Sequence, residues 1–427
     1  MFPIEILEIF FKYSHGTDII NFRYVCKTWN NVITRLSRDT NMWQNKCQNE
    51  ISIHLRRSIA QKLYPNISWT DFHESKDNLK WLSMYRTWMK WHKINEFNVS
   101  TAQFEPFFIR LPLVQITCLA VSESLLAVGS SEGFIAFYDI ERSIVEPIFI
   151  ADQMEHVSNV QFLRDGRESH SYTLSIFFFV VFDLCFLFCM LTDKRIAAIS
   201  ASNMYRVMLW DILLKKVIST PRYGRLISTT HGCVLITMKN KLIIRNKCTE
   251  RSYDFLELYG TIVALVADGE EAFLWTDLGY NYKVSLNETP YMEEEYVEPP
   301  ADKVLKYYVF RPWTAMCITM NGFLGISVNS QPWVMYEILS KLHGTPTALL
   351  FYADVLVLGL DSGSVHMYYV NNAELLTTWD FCPKNSKSIV VANQAIIALD
   401  IMDRLNKQYL IAATTEKINI VQLYDPS

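Results

Sequence analysis

The chain has 427 residues, half of them hydrophobic and a fifth charged, with a formal net charge of −4. That composition supports a large buried core and excludes a disordered chain. So small a net charge excludes a nucleic-acid binder that works through its overall field. Nine cysteines form no C-x-x-C pair, the nearest two being Cys185 and Cys189. Neither a disulfide framework nor a grouped zinc site fits that spacing. Met1-Phe2-Pro3 leads straight to a charge at Glu5, unlike a secretory leader. The expectation is a reducing compartment, cytoplasmic or nuclear.

Residues 1–47 read as short helices. Ile4, Leu7 and Phe11 recur at helical spacing, and Ile6, Ile9 and Tyr13 form a second stripe. Two stripes on one short helix imply two buried faces, one for its own module and one for a partner. Pro3 suits a helix start. Gly16 is expected to break the helix after Tyr13, with Thr17 or Asp18 capping the next one. Pro3, Ile4, Leu7, Ile9 and Phe10 make an apolar surface too large for so small a unit to hide alone. Trp29 and Trp43 have the size of interface anchors, or they are the module's own core.

Residues 48–97 mix Trp and Tyr with Lys and Arg. Trp81, Tyr85, Trp88 and Trp91 interleave with Lys80, Arg86, Lys90 and Lys93. Aromatics among cations can serve single-stranded nucleic acid. The helical spacing of Trp81, Tyr85 and Trp88 points instead to a connecting helix with its aromatic face on the next domain.

From residue 98 to 427 the texture is that of strands. Short β-branched and aromatic runs alternate with Gly, Asn, Asp and Ser turns. Leu125-Leu126-Ala127-Val128-Gly129, the turn Ser131-Glu132-Gly133 and Phe134-Ile135-Ala136-Phe137-Tyr138-Asp139 set the pattern. An apolar strand ending in an aromatic recurs at Met208-Leu209-Trp210-Asp211, Val334-Met335-Tyr336-Glu337, His366-Met367-Tyr368-Tyr369 and Gln422-Leu423-Tyr424-Asp425. Weaker copies end near Ile244 and Val284. Seven units, give or take one, at about 45 residues each match the period of a four-stranded propeller blade. Residues 104–109 are expected to close the ring beside the strand ending at Tyr424.

The run LSIFFFVVFDLCFLFCML at 174–191 is long enough to suggest a membrane span. Asp183 near its middle opposes that. So does its place between Val157-Ser158-Asn159-Val160-Gln161-Phe162 and Ile196-Ala197-Ala198-Ile199-Ser200, two strands that should pair in one blade. The expectation is an insertion near 168–193 in the hairpin at Arg164-Asp165-Gly166. It is either a translated non-coding segment or a true isoform, and no membrane contact is expected. The acids Glu293-Glu294-Glu295, with Glu298 and Asp302, lie among Pro290, Pro299 and Pro300 and read as a solvated loop rather than a Ca²⁺ site.

No Gly-rich phosphate loop and no G-x-S-x-G elbow occurs, so no catalytic residue is nominated. His366 reads as a satisfied core histidine. No cofactor and no metal is expected.

Two resemblances complete the reading. Phe2-Pro3-Ile4-Glu5-Ile6-Leu7-Glu8-Ile9-Phe10, Asp18-Ile19, Val25-Cys26-Lys27-Thr28-Trp29 and Met42-Trp43 with Cys47 resemble an F-box, with Phe2, Ile19 and Met42 in place of the usual Leu. The strand half resembles a degenerate WD-repeat propeller, of which Trp210-Asp211 keeps the literal dipeptide. The first resemblance implies docking on the Skp-type linker subunit of a cullin–RING ubiquitin ligase through Pro3, Ile4, Glu5, Leu7, Ile9, Phe10, Val25, Cys26, Trp29 and Trp43. The propeller would then hold a protein target. The alternative is a propeller scaffold that uses the helical module in some other assembly.

Overall fold

The computed structural model describes residues 3–142, 144–163, 197–230, 233–246, 252–254, 258–286, 291–311, 313–404 and 407–424. The apolar run at 174–191, the hairpin at 164–166, Ile196, Phe2, Pro290 and Asp425 lie outside them. No helix among the described residues is long and apolar enough to cross a membrane.

The chain begins with α1 (Ile4–Tyr13), α2 (Gly16–Phe22), α3 (Lys27–Asp39) and α4 (Met42–Glu50). An arm of α5 (Ile53–Leu63), α6 (Trp69–Glu74) and α7 (Asn78–His92) follows. Ser52, Ser68 and Asp77 cap α5, α6 and α7 by accepting from first-turn N–H groups. The first helix ends at Tyr13, as the sequence indicated, but the next begins before Thr17 and Asp18, so neither caps it and Gly16 is not left outside. Gly16 opens α2, and Thr17 and Asp18 lie inside that helix. The reason is tertiary. A Cβ on Gly16 would sit 2.4 Å from the Tyr85 ring of α7, and the Gly16 N–H donates to Glu50 at 3.1 Å. Glycine is needed there for close approach.

The strands form seven four-stranded antiparallel sheets. Six of them are meanders, as in blade 1: β2 (Ile116–Ser122), β3 (Leu125–Ser130), β4 (Phe134–Asp139) and β5 (Phe149–Asp152). The first strands neighbour one another around the ring. Second strands such as β3 are buried at every position, because a blade packs on both faces and leaves no polar side to alternate with. In blade 2, β6 (Val157–Phe162) pairs with β7 (Ala197–Ser202) from Val157↔Ser202 to Phe162↔Ala198. The two strands flanking the apolar run are therefore hydrogen-bonded neighbours.

Closure comes from an earlier segment than 104–109. β1 (Asn98–Phe104) pairs with β28 (Ile418–Tyr424) from Asn98↔Tyr424 to Phe104↔Ile418. Pro106 has no N–H to extend that ladder. Phe107–Arg110 instead turns as a 3-10 helix that buries Phe108. Val334–Glu337 is the fourth strand of its blade although its sequence copies strands that are third in theirs. One other expectation shifts. Met292–Tyr296, with the three glutamates, is the fourth strand of blade 4 rather than a loop. Its charges guard an exposed sheet edge.

In a meander, first-to-second turns lie at one end and second-to-third turns at the other. The arm covers the first end. Asn66 donates to Glu123 at 2.9 Å, Arg57 pairs with Glu271 at 3.4 Å, and Lys62 pairs with Asp400 at 2.5 Å. Side chains from Leu7 through Phe97 and from Ala348 through Leu423 share one apolar core, so module, arm and the last two blades are packed as one body. The joint is polar at its centre. Trp91 Nε1 donates to Asp403 at 3.1 Å, and the Tyr352 hydroxyl donates to the same carboxylate at 2.5 Å. Trp81, Tyr85, Trp88 and Trp91 are all buried. The arm's aromatics are packing residues, but not all on the next domain as expected: Trp91 meets Tyr352 of the propeller, whereas Trp81 packs on Phe72 and Tyr85 on Trp43 of the module.

Candidate partner-docking surface of the N-terminal module

The module is built around α3. Its apolar residues Val32, Ile33 and Leu36 are buried, and Leu7 and Phe11 of α1 pack into the same core. Trp43 is fully buried, and its indole N–H donates to Ser37 Oγ at 2.9 Å. Asn78 of α7 accepts from the Trp43 N–H at 3.1 Å and donates to the Ser37 carbonyl at 2.7 Å, so the arm satisfies the start of α4. Glu50 ties the corner. It accepts from Gly16 N–H and the Tyr85 hydroxyl and lies 3.1 Å from His15 Nε2.

What the core leaves outside is apolar. Ile4, Ile6, Ile9 and Phe10 of α1 are 45–53% exposed, and Tyr13, Tyr24 and Val25 are exposed further. Pro3, Glu5 and Cys26 are also exposed. Trp29 is half-buried, with its ring 5.3 Å from Phe11, 5.3 Å from Phe22 and 6.0 Å from Phe10. This ring cluster fixes Phe10 against α3 and carries the exposed strip from α1 across to the 24–26 turn. Glu8 and Arg35 pair between α1 and α3 and hold the two helices in register.

The family model for the F-box domain matches residues 1–41. The module is an F-box. The chain is thus an F-box protein whose second part is a seven-bladed propeller. No curated protein matches its sequence. The crystal structure of the computationally designed Ika8 protein is similar over 73% of this chain and 96% of that one. At 14% identity and a TM-score of 0.41 that likeness carries no argument.

The ten residues singled out in the F-box by motif fall into two groups. Pro3, Ile4, Glu5, Ile9, Phe10, Val25 and Cys26 lie at the surface, with Trp29 at its edge. Leu7 and Trp43 are 3% and 0% exposed and support that surface from beneath. Ile6, Tyr13 and Tyr24 join the strip although they are not among those ten. The second apolar stripe of α1 already contained two of them. Elsewhere, His366 is a satisfied core residue, with its Nδ1 3.0 Å from Ser386 Oγ and its pKa lowered by burial. No cluster of metal-ligating side chains occurs among the described residues.

Proposed function

We propose that the chain is the substrate-recognition subunit of an SCF-type cullin–RING ubiquitin ligase. The F-box docks on the Skp-type linker subunit, through it the cullin, and the propeller holds a protein target. The chain makes and breaks no bond in this role; it raises the concentration of target lysines near a charged ubiquitin carrier. The observation that carries the reading is the α1 face of Ile6, Ile9, Phe10 and Tyr13, left exposed by a module that the F-box family model matches. A helix face of this kind is recognised by a complementary apolar groove.

The rigid arm supports the second half of the proposal. It occupies one end of the propeller, so the target is assigned to the other, where second-to-third turns and blade connectors meet. Kinship of the propeller with WD-repeat proteins belongs to the same reading, as does a cytoplasmic or nuclear site of action.

The test is co-purification with the linker subunit. Ile9→Asp replaces an exposed side chain, so folding is expected to persist. Affinity should fall by about 2 kcal/mol or more, about thirtyfold, from lost apolar burial and a desolvated charge. Leu7→Asp is the wrong probe, because it would unfold the core. Undiminished binding by Ile9→Asp with an unchanged melting temperature would refute the docking surface. Stable partners of another class, with no cullin recruited, would favour the scaffold alternative.

A further inference from the structure

We propose that the uncovered propeller face docks an acidic peptide segment across blades 2 and 3. This inference rests on the target-binding reading above and names the chemistry of what is bound.

The first observation is a strained turn. In blades 1, 4, 5 and 6 the turn entering the third strand ends on Gly133, Gly279, Gly322 and Gly363, with φ between +79° and +96°. Blade 2 places Tyr205 at the equivalent position, directly before its third strand Arg206–Asp211, with φ +65°. The left-handed region is open to glycine and strained for tyrosine. Strain that a glycine would remove, in a turn that elsewhere uses one, points to a use for the side chain. Tyr205 is 45% exposed, and Met204 beside it is 67% exposed. Met154, on the adjacent connector, is also held at positive φ and is 79% exposed. His156 of that connector accepts from Asn203 N–H at 3.0 Å, which ties the two turns together.

The second observation is charge. The Tyr205 carbonyl accepts from Gly224 N–H at 2.6 Å, and Arg225 N–H donates to Thr237 at 2.7 Å. The Lys239 carbonyl accepts from Ile262 N–H at 3.2 Å. Tyr205, Arg225 and Lys239 are thus on one hydrogen-bonded arc. Arg225 and Lys239 are exposed and Lys241 half-buried. No ion pair involves these three among the described residues. The acids beside these turns have partners of their own: Glu155 lies 3.3 Å from Arg206 and accepts from Ser202 Oγ at 2.6 Å, Asp152 accepts from Met154 N–H at 2.7 Å, and Asp277 accepts from Thr261 N–H at 2.7 Å. The arc is therefore cationic on a chain whose net charge is −4.

Charge complementarity selects the occupant. The cations sit on separate turns rather than converging on one point. That spacing suits carboxylates strung along an extended peptide better than a single phosphate. Met154, Met204 and Tyr205 offer an adaptable apolar edge for a neighbouring side chain. Nucleic acid is the weaker fit, because it calls for a longer basic stripe.

The experiment probes an array of random dodecapeptides with the full chain, both alone and mixed with the linker subunit. Retained peptides should be rich in Asp and Glu next to aliphatic or aromatic residues. The best of them, labelled with fluorescein, should bind Arg225→Glu/Lys239→Glu about tenfold more weakly by anisotropy. Tyr205→Gly should lose a similar factor while its melting temperature holds or rises, which a merely structural role would not give. Neutral or basic peptides among the best binders would overturn the proposal. So would tighter binding of the phosphoserine counterpart or of oligo-dT, or affinity unchanged by charge reversal. Linker-subunit binding is measured alongside. Its loss with peptide selectivity intact refutes the ligase reading alone; the converse refutes the acidic-peptide assignment alone.

Discussion

Raising the pH from 5 to 7.5 should weaken the joint between arm and propeller, and Asp403 sets the size of the effect. Its carboxyl is 2% exposed, and burial pushes its pKa up to about 6. Hydrogen bonds from Tyr352 and Trp91 and the charges of Lys62 and Lys90 oppose that rise without cancelling it. Against an unfolded carboxyl near 3.9, the native state holds the proton over a window of about two pH units. A raised carboxyl pKa stabilises the fold fully below the unfolded value and loses that contribution as pH climbs through the folded value. The whole effect is about 3 kcal/mol, of which about 1.5 kcal/mol falls between pH 5 and 7.5. Asp403→Asn removes the titration at nearly constant shape. His92, lowered to about 4 by burial, titrates with the opposite sign, so the informative quantity is the difference between wild type and variant. Urea unfolding at several pH values measures it. Wild type should lose ground to Asp403→Asn by about 1.5 kcal/mol over that interval. A difference that stays flat with pH, or one that grows in favour of wild type, would refute the assignment of Asp403 as a buried, proton-linked carboxyl.

Two further outcomes follow from local geometry. Gly363→Ala should cost about 2 kcal/mol or more in thermal unfolding, since φ is +80° and the added Cβ would meet the Ala392 carbonyl oxygen at 2.2 Å. An unchanged melting temperature would contradict that turn. Iodoacetamide should label exposed Cys26 and then Cys382 in the native protein. Cys118 and Cys317, raised to about 11 and about 12 by burial, should react only after unfolding. Linker-subunit binding should slow labelling of Cys26 and leave Cys382 unaffected, as read by peptide mass spectrometry.

The motif at residues 1–47 and the strand period were both legible in the sequence. Such signals are local: residue types at fixed offsets, and runs that recur because each blade solves the same packing problem. The expectation of seven units agrees with the seven sheets, and the strands either side of the apolar run pair as their order implied. The segment between them lies outside the described residues. The glutamates at 293–295 escaped the strand assignment because an outermost strand has no buried face to impose alternation, so its composition mimics a loop.

Amphipathic spacing alone gave α1 two stripes without saying which faces inward. Packing against α3 decided it, burying Leu7 and Phe11 and leaving Ile6, Ile9 and Tyr13 outside. The break after Tyr13 was legible, but α2 opens on Gly16 rather than on a Thr17 or Asp18 cap, and the Tyr85 ring from 69 positions further along leaves no room there for a Cβ. Asp403, Trp91 and Tyr352 carry no motif, since a buried carboxylate shared by an arm and a blade has no characteristic spacing. The closing strand 98–104 was fixed by its partner at 418–424, at the far end of the chain. Residue type and local spacing therefore determined what the pieces are. Contacts between residues distant in sequence decided which faces meet and which remain free, because burial depends on neighbours that only the folded chain supplies.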